Sequence, residues 1–147
     1  MTRSEEATRY FSQTFNCAQA VFTVFGKDKG LTEDQCLKIA TAFGGGMGRQ
    51  QHVCGAVTGA LMALGILEGR GRNDDVSKKD LTYGKVVEFF EEFRKRHGSI
   101  ICKDLLRGLS MTDPEDQKEI ERLKLFSTDC VKYVRDAVEI IGLIEKT

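Results

Sequence analysis

Tryptophan is absent from the 147 residues, proline occurs once, and the net charge is zero, with 22 basic against 22 acidic residues. A single proline, together with few alternating apolar and polar stretches, argues against a strand-and-turn architecture and for an all-helical chain. The charge balance argues against nucleic acid or an anionic membrane as partner, since both are normally met by a basic surface. The longest apolar run, from Cys54 to Leu67, is too short to span a bilayer, so no membrane insertion is expected. Missing too are C-x-x-C, which excludes a zinc ribbon or thioredoxin motif, and C-x-x-C-H, which excludes haem attachment. G-x-x-x-x-G-K-[ST] is not found, and with it goes the usual nucleotide loop. The first residues, Met1-Thr2-Arg3-Ser4-Glu5-Glu6, are too acidic and polar for a signal peptide. A cytoplasmic protein is therefore expected, and in a reducing compartment five cysteines do not form a static disulfide framework.

What the chain does contain is helical punctuation. Thr2…Glu5, Asn16…Gln19 and Thr32…Gln35 have the form of capping boxes, and Asp113-Pro114 opens another helix with proline at its first position. Apolar residues follow at helical spacing. The stripes read Ala7, Tyr10, Phe11; Cys17, Ala20, Val21, Val24, Phe25; and Cys36, Ile39, Ala40, Phe43. Further along come Val86, Phe89, Phe90, Phe93; then Cys102, Leu105, Leu106, Leu109; and last Cys130, Val134, Ala137, Ile141, Ile144, behind a cap at Ser127 or Thr128. Without linker, repeat or low-complexity segment, the expectation is one domain over 1–147, an all-α bundle of seven or eight helices.

One stretch stands apart from this plan. Phe43-Gly44-Gly45-Gly46-Met47-Gly48-Arg49 is a glycine loop, and after His52-Val53 it leads to Cys54-Gly55-Ala56-Val57-Thr58-Gly59-Ala60. The second part reads as a helix whose Gly55, Ala56, Gly59 and Ala60 leave one surface nearly bare, so that a neighbouring backbone can come very close. Cys17, Cys54, Cys102 and Cys130 each fall near the first turn of an expected helix and on or beside its apolar stripe. A helix N-terminus stabilises a thiolate, whereas burial destabilises it, so the two effects oppose one another. Cys36 lies a turn inside its helix and reads as core. His52 is a candidate base or ligand, His97 a helix-end histidine, Arg49 a surface cation or anion contact, and Met47 and Met62 core residues before they are soft ligands.

Taken together, Phe15-Asn16-Cys17-Ala18-Gln19-Ala20-Val21, the glycine loop, the Cys54-to-Ala60 segment and the later single cysteines resemble the C_GCAxxG_C_C family. These are small proteins with four characteristic cysteines and a CGAxxG motif, proposed to be redox-active. Position by position, the resemblance implies Cys17, Cys54, Cys102 and Cys130 as the working cysteines, with Gly55, Ala56 and Gly59 completing the motif as the cofactor-binding positions. Cys36 matches none of the four. Related helical modules are fused to haem domains in split-Soret cytochromes, where an iron–sulfur cluster is the expected cofactor.

Three readings of the cysteines stay open at this point. They cycle between dithiol and disulfide with an unknown redox partner; or all four hold zinc or an iron–sulfur cluster; or they are buried residues of a helical interaction module. The Gly55/Gly59 pair would fit a neighbouring helix of the same chain or a homo-oligomer seam.

Overall fold

The computed structural model describes residues 1–145, so the last two positions of the expected domain lie outside it. Among the described residues there are eight helices and no strands, and the protein is all-α. They are α1 (Arg3–Ser12), α2 (Cys17–Gly26), α3 (Glu33–Ala40), α4 (Gly55–Glu68), α5 (Ser77–His97), α6 (Cys102–Leu105), α7 (Pro114–Leu123) and α8 (Val131–Glu145). None is long and apolar enough to cross a membrane.

The starts of the helices follow the caps. Thr2 and Glu5, Asn16 and Gln19, and Thr32 and Gln35 each close a reciprocal box, satisfying two amides that the helix cannot satisfy itself. Asp113 accepts from the Asp116 amide with Pro114 at the first helical position. Gly98, at φ 84, ends α5 in the left-handed region, where a side chain would be strained.

α2 packs most extensively on α4, and α8 lies against α1, α4 and α5. Phe89 and Phe93 from α5, Leu64 from α4 and Ile140 and Ile141 from α8 are fully buried at these contacts. The contact between α2 and α4 is close because α4 presents glycine. A Cβ at Gly59 would lie 2.8 Å from the Ala18 carbonyl oxygen and 3.1 Å from Val21 Cβ. Gly55 and Gly59 thus serve a helix–helix contact within the chain, and the partner helix is the one that carries Cys17.

Three expectations change. Ile39 is 50% exposed rather than on the inward stripe. The short α3 meets α2 through Cys36 and Ala40, one turn apart, and Ile39 projects to the side of that narrow contact. Cys36 is buried with Ala18, Phe22 and Ala40, in accordance with its reading as core. Met47 is exposed instead of core. The third change concerns the end of the chain. Ser127 and Thr128 cap nothing, because their hydroxyls donate back to the Lys124 carbonyl. Helical backbone runs from Leu125 through a π-turn (Phe126–Cys130) into α8, and the Cys130 amide donates to the Leu125 carbonyl at 3.0 Å. Cys130 therefore sits inside a continuous helical run and not at a free helix N-terminus.

Candidate functional site

The glycine stretch is not a flexible loop. After a short 3₁₀ turn (Thr41–Phe43) the chain enters the left-handed region at Gly45, Gly46, Met47, Gly48 and Arg49, and again at Gln51. Amide bonds reaching six residues back hold this coil. The Gly48 amide donates to the Ala42 carbonyl (2.9 Å), Gln51 to Gly45 (3.0 Å) and His52 to Gly46 (2.9 Å). Left-handed backbone costs a non-glycine residue roughly 1–2 kcal/mol, so Met47, Arg49 and Gln51 are held there by their surroundings. Gly46 has a second reason to lack a side chain: a Cβ would stand 2.7 Å from Gln51 Cα and 2.8 Å from Cys102 Cβ. The coil is wrapped directly onto one of the cysteines.

It leads into a short extended crossing. Val53 and Ile101 form an antiparallel bridge, with the Cys54 amide donating to the Ile100 carbonyl (2.8 Å) and the Cys102 amide to the His52 carbonyl (2.7 Å). This pairing brings Cys54 and Cys102 side by side although nearly fifty residues separate them. Cys54 is then the N-cap of α4, Cys102 the first residue of α6, and Cys17 the first residue of α2. Cys130 arrives on the stripe Phe126, Cys130, Tyr133.

All four cysteines line one cavity of about 390 Å³, walled also by the glycine coil, Asn16, Met111 and Tyr133. Cys54, Cys102 and Cys130 are buried and Cys17 is half-buried; all five cysteines carry free thiols. Cys36 lies elsewhere, with its Sγ against Gly26. The structure thus separates the four from the fifth.

The electrostatics favour protonated thiols. Burial pushes Cys54 up to about 12, opposed by the Ala56 and Val57 amides near its sulfur, and the Cys102 and Cys130 thiols add to the rise. Cys102 is likewise pushed up to about 12, mainly by burial, while the Gln51 side-chain amide pulls it down. Cys17 is held well above its ordinary value, first by a hydrogen bond shared with the Cys130 thiol and then by burial. The helix N-terminus helps Cys54, yet desolvation outweighs it.

Of the other candidate positions, Gly55 lines the cavity, whereas Ala56 and Gly59 are packed into the helix contact beside it. His52 joins the site through its backbone only, and its imidazole is exposed. His97 packs against Phe93 and Tyr133, with Nε2 2.9 Å from Asp136, outside the cavity. Met62 packs with the Cys36 group.

Two residues that the sequence pattern does not single out shape the site. The buried Gln51 donates to the Leu109 carbonyl (2.8 Å) and accepts from the Met111 amide (2.7 Å), stitching a distant loop onto the coil. Tyr133 donates to the Leu105 carbonyl (2.8 Å) and closes the cavity from α8. Gln51 follows a glycine loop and carries no periodic signal, and Tyr133 is indistinguishable from an ordinary core aromatic.

The donor set suits a thiophilic group: four thiols converge, and no carboxylate or imidazole lines the cavity with them. Among the described residues, however, no three His, Cys, Asp or Glu are arranged to hold a metal ion.

Comparison with known proteins places these features in context. An "Uncharacterized protein" of Archaeoglobus fulgidus is 24% identical over 151 residues, spanning 95% of this chain and 93% of that protein. No solved structure matches the chain. A family model described as "Putative redox-active protein (C_GCAxxG_C_C)" matches residues 15–144, and the chain belongs to that family.

Proposed function

We propose that this protein exchanges electrons through thiol–disulfide chemistry in the four-cysteine cavity, with Cys17 and Cys130 as the reacting pair. The single observation that carries this reading is the segregation of the cysteines. Four, from four distant segments, line one cavity, and the fifth is packed away in the core. The pair is assigned from the hydrogen bond that the two thiols share, the largest cause raising Cys17.

In the oxidative direction the thiolate of one member of the pair attacks a disulfide R–S–S–R′, forming a mixed disulfide with R and releasing R′–S⁻. The other member then gives its proton to the released R′–S⁻ and attacks the protein sulfur of the mixed disulfide. The Cys17–Cys130 disulfide forms, R–S⁻ leaves, and two electrons have passed from the protein to the small disulfide. A dithiol reductant runs the sequence backwards.

The test is to treat fully reduced protein with hydroxyethyl disulfide under anaerobic conditions and map the products by peptide mass spectrometry. The expected result is loss of two thiols and a Cys17–Cys130 link. Retention of all five thiols, or a link through Cys36, would rule the scheme out.

One observation favours a second reading. Cys54, Cys102 and Cys130 each make a neighbouring thiol of the cavity harder to ionise, and a cationic core among them would relieve that repulsion. An iron–sulfur cluster held by Cys17, Cys54, Cys102 and Cys130 would supply one-electron chemistry when bound. Iron and acid-labile sulfide in anaerobically purified protein, lost together in Cys54→Ala, would decide for it.

A further inference from the structure

A second, larger depression adjoins the cysteine cavity. It measures about 980 Å³ and shares Arg49, Met111 and Phe126 with the first as a common wall. Its remaining lining includes Glu121 and Lys124. Phe126 is 44% exposed and presents apolar surface at this wall. From Phe126 the same helical stripe leads to Cys130 inside.

Arg49 and Lys124 have an uncommon pairing of properties. Both are left-handed, at φ 64 and φ 53, and among the described residues neither side chain has a hydrogen-bond or ion-pair partner. Nearby Arg107, also left-handed, is already bound to Asp129 at 3.1 Å. Arg49 is aimed by the coil: a Cβ at Gly45 would lie 2.9 Å from Arg49 Cγ and 3.4 Å from Met111 Cε, so both side chains are laid over the glycine turn at the shared wall. Glu121 is the single acidic residue of the depression, leaving two cations to one anion.

We propose that this depression is the entrance to the cysteine cavity and binds a small disulfide bearing carboxylates, with Arg49 and Lys124 holding the carboxylates while Met111 and Phe126 cover the disulfide. This rests on the thiol–disulfide reading above. The partner must be small because Cys54, Cys102 and Cys130 are 4%, 8% and 7% exposed, beyond the reach of a flat protein face. It must be anionic because two unpaired cations flank the route. An electropositive mouth raises the local concentration of such a molecule and speeds its arrival. The chemistry is that already written, with dithiodipropionate as the probe oxidant. The dithiol loses two electrons, one disulfide bond forms in the protein, one breaks in the probe, and two mercaptopropionates leave.

The experiment compares dithiodipropionate, neutral hydroxyethyl disulfide and cationic cystamine on the reduced full-length protein, each rate divided by that probe's rate with mercaptoethanol. The normalised rate for dithiodipropionate should exceed that for cystamine by about tenfold at low ionic strength, and the gap should close as salt screens the mouth. Arg49→Gln and Lys124→Gln should each lower the ratio of the dithiodipropionate to the hydroxyethyl disulfide rate several-fold, and Glu121→Gln should raise it. Equal normalised rates in the unmodified protein, or a preference for cystamine, would overturn the entrance while leaving the thiol chemistry standing. Failure of all three probes to react overturns that chemistry, and this inference with it.

Discussion

At the scale of single residues, the contact between α2 and α4 turns on whether a glycine has anywhere to put a methyl group. At Gly59 it does not, because the Ala18 backbone stands 2.8–3.1 Å from where a Cβ would go. Backbone cannot swing aside as a side-chain tip can. Gly59→Ala should therefore cost about 1–3 kcal/mol through overpacking, read as a lower urea midpoint. Gly65, in the same helix, has nothing within 4 Å. Gly65→Ala should stabilise the protein by about 0.4–1 kcal/mol, because alanine loses less chain freedom on folding. A similar response at both positions would mean that the close contact is absent. The close approach at Gly55 and Gly59 was legible in the sequence, but which helix is laid across them was not, since that depends on the packing of distant segments.

At the scale of elements, caps were the most readable feature, because a cap is settled by residues three apart and needs nothing from the rest of the fold. Asn16 shows where that locality ends. Its side chain accepts from the Gln19 amide (2.9 Å) as the sequence pattern implies, and it also donates to the Thr41 carbonyl (2.9 Å) and packs on Gly44. It thereby joins the start of α2, with Cys17, to the start of the glycine coil. Asn16→Ala should cost about 0.5–2 kcal/mol for the cap alone. It should also speed alkylation of Cys17 by iodoacetamide relative to Cys36, whose pocket Asn16 does not touch. An unchanged ratio would confine Asn16 to capping. The π-turn before α8 was illegible for the converse reason. Ser127 and Thr128 look like caps, but the helical path already begins at Leu125, and their hydroxyls are spent on the Lys124 carbonyl.

For the molecule as a whole, the buried thiols make stability depend on pH. Cys54 and Cys102 are raised to about 12 from an ordinary 9.0. The unfolded chain therefore gives up these protons earlier than the folded one does. The associated stability is fully present below about pH 9 and is lost as pH rises from there toward about 12. The urea midpoint of the reduced protein should fall through that window, and Cys54→Ala with Cys102→Ala should flatten the slope while lowering the baseline. A midpoint indifferent to pH up to about 11 in the unmodified protein would show that these sulfurs are not desolvated as described.

The sequence by itself determined the all-α class, the caps at Thr2, Asn16, Thr32 and Asp113, most of the inward stripes and the separation of four cysteines from Cys36. Each of these is written in local spacing or in a motif. Only the tertiary structure decided that the four meet around one cavity, because that meeting runs through long-range contacts. Gln51 reaches Leu109 and Met111, Val53 pairs with Ile101, and the coil presses Gly46 onto Cys102. The tertiary structure also decided the balance at each thiol. A helix N-terminus is visible in a sequence, whereas the desolvation that outweighs it is imposed by elements packed from elsewhere in the chain.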